Sequence, residues 1–153
     1  MASVHAVCRS HEAPPPPFNE AVINRIQAAF EVQHRDRLLY SGRHQQRHLY
    51  HLTRMVAKQP LCLHSHVRRV YLSIACRDRS ALIGALIDLF LVLRGRGATL
   101  YFRLLEASAG LLGSYLHRSI ERAFRSNDVG RALRLPLEHS VLANSKDGAI
   151  FAL

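Results

Sequence analysis

The segment "RSALIGALIDLFLVL", residues 79–93, contains the longest apolar run of this chain. Apolar side chains point in almost every direction around a helix drawn through it, and Gly84 and Asp88 form its only polar strip. Such a helix must be covered on nearly every side, so we expect it at the centre of a helical domain. The apolar run is well short of the roughly 20 residues that cross a bilayer, and we predict no membrane span.

Two arrangements can cover this central helix. Other helices of the same chain can surround it, or one side of it can lie in a homodimer contact that resembles a core cut in half. The second arrangement predicts a homo-oligomer whose interface holds apolar side chains from one helix: Leu82, Leu86, Leu89, Phe90 and Leu93.

Asp88 is the one carboxylate inside this apolar stretch. An ionised carboxylate in such a setting needs a cationic partner, and we expect an arginine such as Arg103 or Arg122. The alternative is a lone catalytic acid with a raised pKa. We favour the ion pair, because no second carboxylate has a spacing that would bring it nearby on the same helix.

The sequence on either side predicts more helices. Asp78 is a suitable N-cap for the central helix, and "GRG" at 95–97 is a typical helix end. Apolar periodicity predicts helices over 19–40, 43–58 and 98–126, the last one broken near Gly110 or Gly113. Residues 66–76 fit either a helix or a strand, and the helical neighbours favour a helix.

These elements predict an all-α bundle of about five helices over residues 18–130. Residues 1–17 end in "APPPP", which predicts a flexible, proline-rich arm. Residues 131–153 contain Pro136 and a Lys-Asp-Gly turn at 146–148, which predict an extended tail or a small hairpin packed on the domain.

Motifs that would indicate an enzyme are missing from the sequence. It contains no GxxxxGK[ST], GxGxxG or GxSxG pattern, so we name no catalytic residue and expect no cofactor. Its three cysteines have no CxxC spacing, and its start lacks a secretory pattern. We therefore expect a cytoplasmic protein that works by binding rather than by catalysis.

Positive charge is concentrated in one region of the chain. The net charge is +10, and no acid occurs between Arg37 and Arg77. A helical wheel for residues 43–58 separates an apolar stripe from a cationic one, which makes this helix amphipathic. The predicted polyanion-binding residues are Arg43, Arg47, Arg54, Lys58, Arg68 and Arg69. Because arginine outnumbers lysine 19 to 2, biased base composition is an alternative explanation for the charge.

Histidines in the same region raise a second hypothesis. His44, His48 and His51 have i, i+4 and i+7 spacing, with which three imidazoles can converge on one metal ion. No carboxylate in this stretch would support them, so they are weak metal ligand candidates. "CLHSH" at 62–66 is a weaker candidate still, since CxHxH matches no standard metal site.

The sequence thus favours a small non-catalytic helical binding or adaptor protein, homo-oligomeric, with a basic face for an acidic partner. That partner is an acidic protein surface or a nucleic acid. The alternatives are a sequence-nonspecific nucleic-acid-binding protein and a metal-dependent enzyme or sensor that uses the histidine cluster.

Overall fold

A computed structural model of the chain describes residues 42–144. Within that range the chain forms seven helices and no strand, which confirms the predicted all-α bundle. The predicted helix 19–40, the proline-rich arm and the turn at 146–148 lie outside the described residues. The helices are α1 Gln45–Lys58, α2 Leu63–Ala75, α3 Arg79–Leu93, α4 Ala98–Leu112, α5 Ser114–Arg125, α6 Val129–Ala132 and α7 Val141–Asn144.

The ends of α3 follow the local sequence. Asp78 accepts a hydrogen bond from the amide of Ala81 at 2.9 Å, which confirms it as the N-cap. At the other end Arg94 takes a left-handed conformation with φ +49°, and the backbone turns through Gly95 and Gly97 before α4 begins.

The predicted helix 98–126 is two helices that meet at Gly113. Its φ of +79° and ψ of 158° are incompatible with continued helix and are readily adopted by glycine alone. Gly110, the other predicted breaking point, lies inside α4. The ambiguous stretch 66–76 belongs to α2, as favoured, since Val67 and Val70 are buried at helical spacing in the core that α3 centres.

The α3 helix lies at the centre of the bundle. It packs against α2, α4 and α7, and nearly all of its side chains are buried. The homo-oligomer interface predicted here is therefore wrong in its location, because the chain itself buries every predicted interface residue: Leu82, Leu86, Leu89, Phe90 and Leu93. None of the helices between residues 42 and 144 has the length and apolarity to span a bilayer.

Aromatic rings hold α5 against the central helices. The rings of Tyr101 and Phe124 stack with centroids 4.0 Å apart, and Phe90 meets Phe124 edge-on at 5.8 Å. The Tyr101 hydroxyl donates to the carbonyl of Leu86 at 3.2 Å, which satisfies its only polar atom in the core. The opposite surface of α5 is consequently directed outward.

The tail folds back onto the bundle. Residues 137–144, called the C-terminal segment below, include α7, which packs against α3 and α1. Of the extended tail or small hairpin predicted for residues 131–153, the structure describes residues 131–144, which contain the end of α6 and the one-turn helix α7. The segment reaches α3 at Gly84, where an added Cβ would overlap the carbonyl of His139 and lie 2.7 Å from the amide of Ser140.

Candidate polyanion-binding surface

Helix α1 is amphipathic, with one buried apolar stripe and one exposed cationic stripe. Leu49, Leu52 and Val56 are buried at 3.6-residue spacing, because their stripe packs against α2. A helix that buries one stripe leaves the other for solvent, and here the outward stripe carries the cations predicted from the wheel. The packing of leucines and valine therefore decides where the guanidinium groups point.

Five exposed residues make up this outward stripe, called the α1 face below. Four of them recur about once per turn of α1 and span about 80° of its circumference at 100° per residue, and the fifth, Arg43, lies just before the helix. The α1 face consists of Arg43, Arg47, Tyr50, Arg54 and Lys58. Three of the six predicted polyanion-binding residues, Arg47, Arg54 and Lys58, thus lie on one exposed stripe of α1, and Arg43 is exposed just before it.

No carboxylate neutralises the α1 face among residues 42–144. The ion pairs in that range join other residues, and neither α1 nor α2 contains an acid. Charges of one sign in a row raise the local potential and attract polyanions. The four cations of the α1 face therefore have no ion-pair partner within residues 42–144.

An aromatic ring lies in the middle of these cations. The Tyr50 side chain is 59% exposed, and the guanidinium carbon of Arg54 lies 5.8 Å from its ring centroid. His51 meets the same ring edge-on at 5.9 Å. Such a platform can stack on a planar partner group while the flanking arginines bind its charges.

The α1 face ends in a concavity at the helix N-terminus. Its N-cap residue, His44, makes no side-chain capping bond, and the first turn of α1 carries no acid. The concavity, about 400 Å³ in volume, opens between this end of α1 and the end of α2, with Arg43 and Arg47 on its wall and Cys76 beyond them. The positive end of the helix dipole adds to the arginine charge here.

Two of the predicted cations are not on this surface. Arg68 and Arg69 are 5% and 1% exposed, so predicting them as polyanion-binding residues was wrong. The reason is that α2 is buried around most of its circumference here, since six consecutive residues, 65–70, are buried. The sequence alone does not reveal that α2 lacks an exposed stripe at these positions.

Arg69 is instead half of a buried ion pair with Asp88. Its Nη1 donates to Asp88 Oδ2 at 2.5 Å, and its Nη2 donates to the carbonyl oxygen of His139 at 2.6 Å. The prediction that Asp88 pairs with an arginine is confirmed, but Arg103 and Arg122, the arginines expected, are both exposed. Both oxygens of Asp88 are engaged, so this is a structural carboxylate rather than a catalytic acid.

The carboxylate of Asp88 also fastens the C-terminal segment. Oδ1 accepts from the Ser140 hydroxyl at 2.6 Å and from the amide of Leu142 at 3.0 Å, and Oδ2 accepts from the amide of Val141 at 2.9 Å. Ser140 has no local sequence signal that would reveal this role, because the contact joins residues 52 positions apart. Only the fold brings them together.

The predicted metal site does not form. No group of three or more potential ligands comes together within residues 42–144, which contradicts a site at His44, His48 and His51. The His48 ring turns inward, where Nδ1 donates to the carbonyl of His44 at 2.8 Å, while His44 is exposed. His44 lies before the helix as its N-cap residue, His48 is buried and His51 is half-buried, so the three imidazoles differ in their surroundings.

"CLHSH" begins α2 rather than forming an extended strand. Cys62 is the N-cap residue, His64 is exposed and His66 is buried, so their side chains diverge. His66 Nε2 donates to the carbonyl of Pro60 at 2.8 Å. Burial lowers the pKa of His66, although the Pro60 carbonyl and the Asp88 carboxylate act in the opposite direction.

Tyr50 is the residue that the predicted binding set left out. Its spacing of three from Arg47 and four from Arg54 places it on the same helical stripe, so a helical wheel of the sequence is sufficient to predict its position.

Comparisons with protein-family models, with curated proteins and with solved structures gave no match for this chain. The function has to be argued from the surface itself.

Proposed function

We propose that this protein is a non-catalytic binding protein that holds a polyanionic partner on the α1 face. The observation that carries the proposal is the row of four exposed cations for which residues 42–144 supply no carboxylate partner. Arginine suits this role because its planar fork binds phosphates or carboxylates through two hydrogen bonds.

Of the two acidic partners expected from the sequence, the α1 face favours single-stranded nucleic acid. An acidic protein surface would use the cations but gain little from the exposed ring of Tyr50. Unpaired bases stack on such rings, while their phosphates bind the flanking arginines. The binding would be independent of sequence, since every base has a π-face.

Salt dependence tests the proposal directly. If four cations each neutralise one phosphate, the slope of log K against log salt is about −2.8 for a single strand, and affinity falls about 50-fold between 50 and 200 mM salt. We would measure this by fluorescence anisotropy with a labelled eight-nucleotide single strand. Absence of binding at 50 mM salt, both to this probe and to a poly-glutamate peptide, would contradict the proposal.

A charge-reversal variant with a matched control locates the surface. R47E/R54E should weaken binding by tenfold or more, because two of the four cations become repulsive. R103E/R134E changes the net charge equally at exposed arginines outside α1, and should keep most of the affinity. Equal losses in the two variants would mean that net charge, rather than the α1 face, is responsible.

The Tyr50→Ala variant separates the two partner classes. Loss of a stacked base costs about 1–3 kcal/mol, so we expect at least a fivefold loss for the oligonucleotide. Binding of poly-glutamate should be unaffected, since it has no ring to stack. Tight poly-glutamate binding combined with an oligonucleotide affinity indifferent to Tyr50 would instead assign an acidic protein as the partner.

Homo-oligomer formation stays a prediction from the sequence. The side chains on which it was based are buried inside one chain, so an oligomer needs a different surface. Binding through the α1 face does not require a second copy.

A further inference from the structure

A second tyrosine-arginine surface occurs on α5. Tyr115 is 80% exposed, and Arg118 and Arg122 are exposed at three and seven residues from it. Together these residues, called the α5 face below, span about 60° of the helix circumference. One acid, Glu121, lies between the two arginines in the chain.

Glu121, the acid on α5 itself, is engaged by a residue outside the α5 face. Glu121 accepts from Nε and Nη2 of Arg125, at 2.9 and 2.8 Å, and the Arg125 guanidinium lies 4.6 Å from the Phe102 ring centroid. Glu106 lies 3.5 Å from the His117 imidazole. Among residues 42–144 no ion pair involves Arg118 or Arg122, so their charge is available to a partner.

The α5 face repeats the chemistry of the α1 face. In each, two arginines four residues apart in the sequence line a concavity, of about 400 Å³ at α1 and about 270 Å³ at α5, and each face carries one exposed tyrosine. Tyr115 and Ser119 also line the α5 concavity, and the Ser119 hydroxyl donates to the Tyr115 carbonyl at 2.9 Å. The same occupant, a phosphate followed by a base, therefore fits both faces.

The two faces belong to separate parts of the bundle. The α1 helix packs against α2 and α7, whereas α5 packs against α4 and α6. The two helices are not among the closely packed pairs of residues 42–144, so we expect one short oligonucleotide to occupy one face at a time. This inference rests on the proposed function, because it assigns to α5 the same ligand class.

We infer that the α5 face is a second binding surface for single-stranded nucleic acid, so that one protein chain holds two strand segments at once. Charge complementarity with phosphates and the exposed Tyr115 ring support this occupant over an acidic peptide. Bridging would make binding to a long strand tighter than binding to a short one, because the second contact is intramolecular.

Energy transfer between two labelled oligonucleotides tests the inference. Donor-labelled and acceptor-labelled eight-nucleotide strands are mixed with limiting protein, and stoichiometry is measured in parallel. A domain of this size has a radius of gyration of about 13 Å, so two strands on one chain lie within transfer range. We expect two strands per chain and a transfer signal for the wild type and for the R103E/R134E control.

The R118E/R122E variant should bind one strand per chain and give no transfer signal. R47E/R54E should also bind one strand, at the α5 face, because the loss of tenfold or more expected for this variant applies to the α1 face. One strand per chain in the wild type, unchanged in R118E/R122E, would overturn the inference and leave the proposed function standing. Transfer that persists in R118E/R122E would also overturn it, since the strands would then meet through two protein copies. A wild type that binds no strand would contradict both.

Discussion

At the scale of single residues, Asp88 organises the interior of this protein. Its carboxylate accepts hydrogen bonds from the Arg69 guanidinium, the Ser140 hydroxyl and two backbone amides of α7. Each bond satisfies a polar group that would otherwise be buried without a partner. One carboxylate thus joins α2, α3 and the C-terminal segment.

The Asp88→Asn variant should lose about 3–5 kcal/mol of unfolding free energy, because it leaves the Arg69 charge buried without a counterion. Urea denaturation followed by circular dichroism measures the loss. Glu121→Gln is the control: it removes an ion pair with Arg125 that is largely exposed, and should cost no more than about 0.5 kcal/mol. Similar losses of unfolding free energy in the two variants would show that burial does not make the Asp88 ion pair more important for stability than an exposed one.

The cysteines should differ in reactivity. The hydroxyl of Ser65, 3.2 Å from the Cys62 sulfur, lowers the pKa of that thiol together with nearby backbone amides, whereas burial raises the pKa of the Cys76 thiol. Iodoacetamide at pH 7.5 should therefore modify Cys62 before Cys76, as resolved by peptide mass spectrometry. Ser65→Ala should slow the reaction at Cys62 alone. Faster labelling of Cys76 would contradict this order.

At the scale of helices, Gly84 sets how closely the C-terminal segment approaches α3. A glycine inside a helix costs about 1 kcal/mol relative to alanine, so its presence in α3 needs a packing reason. The backbone of His139 and Ser140 occupies the space that a Cβ would take. This contact brings Ser140 and α7 within reach of Asp88.

Two glycine-to-alanine variants should therefore change stability in opposite directions. Gly84→Ala should destabilise the protein by about 1–3 kcal/mol, since the segment must move away from α3. Gly110→Ala should stabilise it by about 0.5–1 kcal/mol, because no atom of residues 42–144 outside the neighbouring turns of α4 lies within 4 Å of the added methyl group. Thermal unfolding compares the two.

Hydrogen exchange identifies the cause of the Gly84→Ala effect. Amides of residues 141–143 should lose protection in that variant, while amides in the middle of α4 keep theirs. A Gly84→Ala protein as stable as the wild type would mean that the backbone of His139 and Ser140 does not pack closely against Gly84.

The helices themselves were mostly predictable from the sequence. The Asp78 cap, the end of α1 before Pro60 and the helical nature of α3 are local signals, set by residues a few positions apart. The one-turn helix α7 was not predictable, because four residues cannot sustain a helix unless a distant group such as the Asp88 carboxylate caps them.

At the scale of the whole molecule, stability should depend on the ionisation of His66. Its folded-state pKa lies below the usual 6.5, chiefly because burial disfavours the charged ring, with the nearby Arg69 acting in the same direction. Below pH 6.5 the unfolded chain therefore binds a proton that the folded chain binds only at lower pH. Unfolding free energy should fall through this window, by at most about 1.4 kcal/mol per pH unit for one proton.

Urea denaturation of the wild type and of His66→Gln between pH 7.5 and 5.5 measures this contribution. Glutamine does not titrate, so the variant should lose less stability on acidification than the wild type does. Its absolute stability will be lower, and only the dependence on pH is compared. Parallel pH profiles would show that His66 does not couple protonation to folding.

The distribution of charge is also a property of the whole molecule. Arginines that look equivalent in the sequence occupy three kinds of environment in the fold. Arg69 is buried in an ion pair, Arg125 forms an ion pair at the surface, and the arginines of the α1 and α5 faces are exposed without an ion pair among residues 42–144. The environment of each arginine depends on what its helix packs against. The acid-free stretch alone could not separate Arg47 from Arg69.

Three features could be predicted from the amino-acid sequence: the all-α class, the central position of α3 and the outward direction of the cations on α1. These follow from the periodicity of apolar side chains along one helix, which is local information. Only the tertiary structure decided that Arg69 pairs with Asp88, that Ser140 and α7 close over them, and that α5 presents a second arginine surface. Those features depend on which helix faces meet, and that is settled by packing between residues far apart in the chain.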